Sequence, residues 1–194
     1  MGRPRKPSQT SCYHIVARGN NQQPVFLGDS DLLAYRGGLE KYKNQYGIEI
    51  FHYCLMTNHV HLVLRVGSLI TLSRFMHDLQ RWYFYYLHKK NGFQGHLWES
   101  RFGSFPIETE SYLLECGRYV ERNPVKAEMV NLPEDYLWSS YRFYAEGKPD
   151  SLLTLSPLYS GMGVTTNERQ ENYRKYVCAL RNTEYRVLVP GTLV

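Results

Sequence analysis

The chain reads as an α+β protein of ferredoxin-like type: an antiparallel sheet covered by helices on one face, with a C-terminal extension of helix and loop. Three observations carry that expectation. The segments "IEIFHYCLM" and "HVHLVLRV" read as strands and are separated only by Thr57-Asn58, which is hairpin spacing. Leu72, Phe75, Met76, Leu79, Trp82, Tyr83 and Tyr86 recur at helical spacing between Leu69 and Asn91. The order strand, helix, strand, strand, helix, strand is the ferredoxin-like order, and one more helix follows it.

Element by element, residues 1–10 place Arg3, Arg5 and Lys6 between prolines and read as a flexible basic arm. "CYHIVARG" is a strand ended by the turn-prone "RGNNQQP". A helix is expected from Ser30, whose hydroxyl can cap it, to Tyr46, with Gly47 as its stop. After the hairpin, the long helix runs to Gly92. "HLWESRFGSFPI" reads as a further strand, and "ETESYLLECGRYVERNP" as a helix halted near Pro124, which has no backbone N–H to give. Residues 11–145 make one domain. The remainder, 146–194, is an extension packed on or near it, with a loop and a helix begun by Thr165, three residues before Glu168 in capping-box spacing.

A chain of 194 residues can bury a real core as a single domain. The net charge of +5, with 17 tyrosines and 3 tryptophans, suits a polyanionic partner that offers phosphates and bases. Cys12, Cys54, Cys116 and Cys178 are scattered without a CxxC pair, which speaks against a disulfide framework or zinc ribbon. No apolar run reaches about 18 residues and the N-terminus lacks the apolar stretch of a secretory signal, so a soluble cytoplasmic protein without a membrane partner is expected.

Within "CLMTNHVHLVLRV", side-chain alternation puts His59, His61 and Val63 on one face and Val60, Leu62 and Leu64 on the other. Two neutral imidazoles on adjacent same-face positions are good ligands for a divalent cation. The plainer reading leaves each at a sheet surface with a backbone or water partner. A zinc reading also exists: with Thr57 and Asn58 as the turn, Cys54 falls opposite His61 and His52 shares that face, though the spacing matches no usual zinc pattern.

On the helix before Pro124, Tyr112, Glu115, Tyr119 and Asn123 form one stripe, with Leu113, Leu114, Gly117 and Val120 roughly opposite. Tyr119 is thus not an obvious core tyrosine, and Asn123, one turn on, can offer a carbonyl oxygen to a cation, hold a phosphate or simply cap the helix. Glu115 is a candidate for orienting a ligand or the tyrosine.

"MTNHVHLVL" resembles the histidine-hydrophobic-histidine motif of the HUH nucleases, with Val60 as the hydrophobic residue. "CGRYVERNPVKA" is similar to the tyrosine-bearing helix of the REP-associated tyrosine transposases, a bacterial branch of the single-tyrosine HUH transposases. "YHIVARGNNQQPVF" and "LWESRF" resemble that family's first strand and loop and its segment before the tyrosine helix. The likeness runs over about residues 12 to 145, in the family's order and spacing.

The resemblance implies the HUH endonuclease fold, a metal site of His59, His61 and Asn123 holding Mg²⁺ or Mn²⁺, and Tyr119 as nucleophile. Arg18, Gly19, Asn20, Trp98 and Arg101 match positions that are candidates for DNA contact. Two residues depart from the family pattern: Gly103 stands where a lysine is frequent, and Glu128 where a glycine is usual after "NPVKA", so the chain path leaving the tyrosine helix is open to differ. The implied activity is single-strand DNA cleavage and strand transfer through a 5′-phosphotyrosine at repetitive extragenic palindromes. The expected substrate is a hairpin with a short flank, and the implied protein is a nucleoid-associated monomer. The chemistry is coherent, because a free phenol of pKa near 10 is almost wholly protonated at neutral pH and a phosphodiester repels nucleophiles, so both need nearby positive charge. Two other classes share the fold and charge: a nucleic-acid-binding repressor without turnover, and a metallohydrolase that uses water at the histidine pair.

Overall fold

The computed structural model describes residues 4–179. Four strands, β1 (Cys12–Arg18), β2 (Glu49–Met56), β3 (His59–Arg65) and β4 (Gly103–Ile107), form one antiparallel sheet in the order β2-β3-β1-β4. Between them run α1 (Asp29–Tyr46) and α2 (Leu69–Asn91); then come α3 (Glu110–Lys126), α4 (Tyr141–Glu146) and α5 (Thr166–Cys178).

Alternation assigns the faces. Tyr13, Ile15 and Ala17 of β1, Ile50, Tyr53 and Leu55 of β2, and Val60, Leu62 and Leu64 of β3 join Leu39, Phe75, Met76, Leu79 and Tyr83 in the core under α1 and α2. The other face carries Cys12, Phe51, Cys54, Met56 and Val63, and α3 covers it with Leu113, Cys116 and Val120. A bulge between Ile50 and His52 turns both Phe51 and His52 toward α3. The two helices of the ferredoxin-like unit thus share one face, and the third helix takes the opposite one.

Four local expectations are amended. Helix α1 begins at Asp29, with Gly28 at its N-cap and Ser30 already inside; Asp31 Oδ2 instead accepts from the Leu27 backbone N–H at 2.9 Å. Of "HLWESRFGSFPI" only Gly103–Ile107 pairs as a regular strand, while residues 97–102 are held by a bridge between Gly19 and Trp98 and by Asn20 N–H to Leu97 O (2.9 Å). Helix α3 does not stop at Pro124 but continues to Lys126. Proline cannot give the usual hydrogen bond to Val120 O, and the Asn123 side-chain amide stands in, donating to Tyr119 O at 2.8 Å and toward Val120 O at 3.4 Å. The arm is docked from Pro4 onward: Ser8 Oγ donates to Ile107 O (2.8 Å), and the Arg5 guanidinium lies 3.9 Å from the Phe102 ring centroid. Arg3 lies outside the described residues.

The extension packs on the domain as far as it is described. Thr165 caps α5 with the expected capping box, and Tyr141, Tyr144, Tyr159, Tyr173 and Val177 form a third apolar cluster. Arg118 of α3, itself buried, donates to the carbonyls of Tyr176 and Ala179, fixing the end of α5 to the tyrosine helix. Residues 180–194 lie outside the described range.

Candidate active site

The antiparallel register places three imidazoles side by side on the face covered by α3. Arg18 pairs with His59, Val16 with His61 and His14 with Val63, so His14, one residue pair further along, sits diagonally beside His61. His14 and His61 are wholly buried, and their rings stack with centroids 5.1 Å apart. His14 Nε2 and His61 Nδ1 share a hydrogen bond of 2.9 Å, while His61 Nε2 has no partner among the described residues. His59 is half-buried, its ring perpendicular to that of His61 at 4.8 Å, and its Nδ1 meets Asn58 Oδ1 at 2.7 Å. The Nδ1 of each histidine of the pair is therefore occupied, which leaves Nε2 as the nitrogen each can offer.

Burial sets the charge of this cluster. Desolvation lowers His14 to about 3, and desolvation followed by the Arg18 charge lowers His59 to about 4. His61 is pushed well below the ordinary histidine value by burial first, then by His14, His59 and Arg18. All three rings are neutral at physiological pH, the state a metal ligand requires.

Helix α3 brings the tyrosine stripe over them. The Tyr119 ring meets His61 edge-on at 5.7 Å and His14 at 5.9 Å, and the Lys126 ammonium lies 4.9 Å from the Tyr119 ring centroid. Tyr112 lies two turns earlier, beside Cys116. With the Asn123 amide nitrogen committed to the helix, its carbonyl oxygen Oδ1 is the atom available to a cation. Glu115 accepts a hydrogen bond from the Tyr176 hydroxyl at 2.8 Å and so ties α3 to α5.

The candidate DNA contacts separate into two groups. Arg18, Gly19 and Asn20 gather at the His59 end of the sheet, where the Gly19 N–H donates to Asn58 O at 2.8 Å. Gly19 cannot carry a side chain, since a Cβ would come within 2.3 Å of Gln23 O. Trp98 closes the same end, but its indole packs toward Tyr35 and Tyr83 at 6.2 and 6.4 Å rather than lying open for a base. Arg101 lines a separate cleft of about 550 Å³ with Arg5, Ser73, Arg74 and His77. At Gly103, a Cβ would stand 3.0 Å from the Phe105 ring, so a larger residue there requires that ring to move.

Sequence reasoning missed His14, Lys126, Arg74 and His77. His14 shares a strand face with Arg18, a pattern visible in "CYHIVAR", but its neighbour is fixed only by the strand order. Lys126 lies seven residues beyond Tyr119, two turns along the same helix face, past the proline expected to end it. In the zinc reading, Cys54 does stand opposite His61, yet burial raises its thiol well above the ordinary cysteine value, and His52 is turned to Glu121. Among the described residues no group of three histidine, cysteine or acidic side chains is placed to hold a metal.

The histidine pair suits a divalent cation in its chemistry: two neutral imidazoles, one carrying a buried nitrogen that lacks a partner, which the amide oxygen of Asn123 would join. Such a neutral donor set would leave the cation its full charge for polarising a phosphate.

Against known proteins, the family model described as "Transposase IS200 like" matches residues 8–123. No curated protein matches the chain. Among solved structures, a REP-associated tyrosine transposase bound to a REP hairpin is similar at 16% identity and a TM-score of 0.64, over 80% of this chain and 92% of that one. A transposase described as putative, from Deinococcus radiodurans R1, aligns at 19% identity and a TM-score of 0.44, over 63% of this chain and 97% of that one. No helix among the described residues is long and apolar enough to cross a membrane. With the match spanning both strands of the histidine hairpin and the helix from Glu110 to Asn123, the chain belongs to the IS200-like transposase family.

Proposed function

We propose that this protein cuts and rejoins single-stranded DNA at REP-type palindromic hairpins through a 5′-phosphotyrosine on Tyr119, acting as a monomer. The observation that carries the reading is the edge of the Tyr119 ring against His61, whose Nε2 is buried and without a partner. The REP-hairpin complex of the similar fold supports the choice of substrate.

His59 and His61, through Nε2, and Asn123, through Oδ1, would hold Mg²⁺ or Mn²⁺. The cation supplies Lewis acidity at the scissile phosphate when bound. Tyr119 Oη attacks phosphorus as its proton departs; the new O–P bond forms as the bond to the 3′-oxygen breaks, and that oxygen leaves as a hydroxyl by taking up a proton. A second strand's 3′-hydroxyl can reverse the step, so transfer needs no nucleotide cofactor. Lys126, beside the ring, favours the developing phenolate. Arg18 and Asn20 at the His59 end, and Arg5, Arg74 and Arg101 in the cleft, hold the backbone through its phosphates. A tyrosine under a sheet-covering helix reaches an isolated strand and not a phosphate inside a duplex, which selects single-stranded DNA.

The test is a hairpin oligonucleotide with a 5′ flank, incubated with protein and Mn²⁺. A protein–DNA band that survives denaturant, is lost in Tyr119→Phe and persists in Tyr112→Phe, is the expected result. Cleavage that continues in Tyr119→Phe identifies a water nucleophile instead, and binding to many hairpins without an adduct identifies a repressor.

A further inference from the structure

The shared hydrogen bond between two buried imidazoles admits two arrangements of one proton. If His14 Nε2–H donates, His61 carries its own proton on Nε2, as an N–H without an acceptor among the described residues. If His61 Nδ1–H donates, Nε2 keeps its lone pair and His14 is protonated on Nδ1. Both arrangements leave one donor and one acceptor unpaired, because His14 Nδ1 and His61 Nε2 are both buried without partners among the described residues. They differ in which kind of atom His61 leaves unpaired on Nε2. Only the second presents an acceptor that a cation can satisfy.

We propose that His14 is a positioning residue: it accepts the hydrogen bond from His61 Nδ1 and so holds His61 in the tautomer whose Nε2 keeps its lone pair. The comparison on the same strand supports it. Asn58 Oδ1 can only accept, so it fixes that tautomer on His59 at 2.7 Å; His14 can give or accept, and in the accepting role it serves the buried ring as Asn58 serves the half-buried one. Placement is equally constrained. The His14 ring is held between His61 (5.1 Å), Phe105 (6.0 Å) and Tyr119 (5.9 Å), so one side chain from the neighbouring strand sets both the proton position and the ring angle of His61. The choice of that tautomer rests on the proposed function, because a cation is what separates two otherwise equal arrangements.

Long-range ¹H–¹⁵N spectra of histidine-labelled protein without metal read the proton positions directly. The expected result is His61 protonated on Nδ1 and bare on Nε2, with His14 bare on Nε2; a protonated His61 Nε2 overturns the proposal. Mn²⁺ titration then compares variants. His14→Phe should weaken binding roughly 10–100-fold, the effect usual for removing a partner behind a metal ligand, and His14→Gln, whose amide oxygen can accept the same bond, should recover most of it. Equal weakening in both variants, tracking a fall in thermal midpoint, makes His14 a packing residue and also overturns the proposal. Mn²⁺ binding lost in His61→Ala but unchanged in His14→Phe sinks this inference alone, whereas Mn²⁺ binding that survives His61→Ala sinks the metal reading and leaves the spectrum to judge the tautomer.

Discussion

Two buried histidines lie on the same face of this sheet and do opposite work. His52 on β2 gives Nδ1 to Glu121 Oε1 at 3.0 Å, and Glu121, wholly buried, also receives Ser140 Oγ at 2.6 Å and Tyr173 OH at 2.7 Å. One carboxyl thereby joins β2, α3, the start of α4 and α5. His52 Nε2 is also without a partner, but it faces Gly117, where even a Cβ would stand at 2.6 Å, so nothing can approach it. His61, on the neighbouring strand, has no carboxyl; its partner is another imidazole, its Nε2 is buried and unpaired, and its ring stands perpendicular to that of a half-buried tyrosine. An unpaired buried nitrogen is thus not by itself a sign of a ligand. The sign is an unpaired nitrogen in a cluster that no carboxyl completes, next to a group able to react, where the fold forgoes stability it could have had.

That contrast can be broken most severely at Glu121. Replacing it with alanine leaves His52, Ser140 and Tyr173 without their shared acceptor and should cost about 3–5 kcal/mol, the range for breaking a buried polar pair. Urea denaturation checks it, and a loss below about 1 kcal/mol would show that the network braces nothing. Gly117→Ala drives a methyl into the His52 ring from the other side and should cost about 1–3 kcal/mol by overpacking, read in the same experiment. The His14→Leu/His61→Leu double variant should behave in the opposite way. Removing both imidazoles removes the unpaired atoms with them, so stability should change by less than about 1 kcal/mol while the DNA adduct disappears. A double variant as damaged as Glu121→Ala would mean that the histidine cluster is structural after all.

The legible parts of this molecule are those written in local periodicity. The hairpin, α2 and the helix that carries Tyr119 each follow from spacing within some 20 residues, and the structure forms them where they were expected. His14 was unreadable as a partner of His61 because 47 residues separate them and only the strand order β2-β3-β1-β4 brings them together. Residues 97–102 alternate well enough to pass for strand, but their backbone is spent on Arg18, Gly19 and Asn20 instead of a ladder. The basic arm looked unstructured because its anchors, Ser73, Phe102 and Ile107, are contributed from far along the chain. Pro124 misled for a subtler reason, since the residue before it supplies from its side chain the donor that proline removes.

The same helix end gives the finest test. Glu128, a non-glycine residue, leaves α3 by a path that glycine takes most easily: it has φ 54, its N–H bonds Val125 O at 3.1 Å, and the Met129 N–H reaches back to Pro124 O at 2.9 Å. This pair of bonds is the Schellman ending, whose left-handed residue costs a non-glycine side chain about 1 kcal/mol or more. Glycine would lose part of that gain to the greater freedom of the unfolded chain, so Glu128→Gly should stabilise by about 0.5–1 kcal/mol. Glu128 is exposed, so adduct formation per folded molecule should stay unchanged. A higher thermal midpoint with unaltered adduct yield fits both expectations. A lower midpoint would mean that the glutamate side chain makes up for its backbone, and a changed yield would mean that the helix end holding Asn123 and Lys126 is tuned by the residue that follows it.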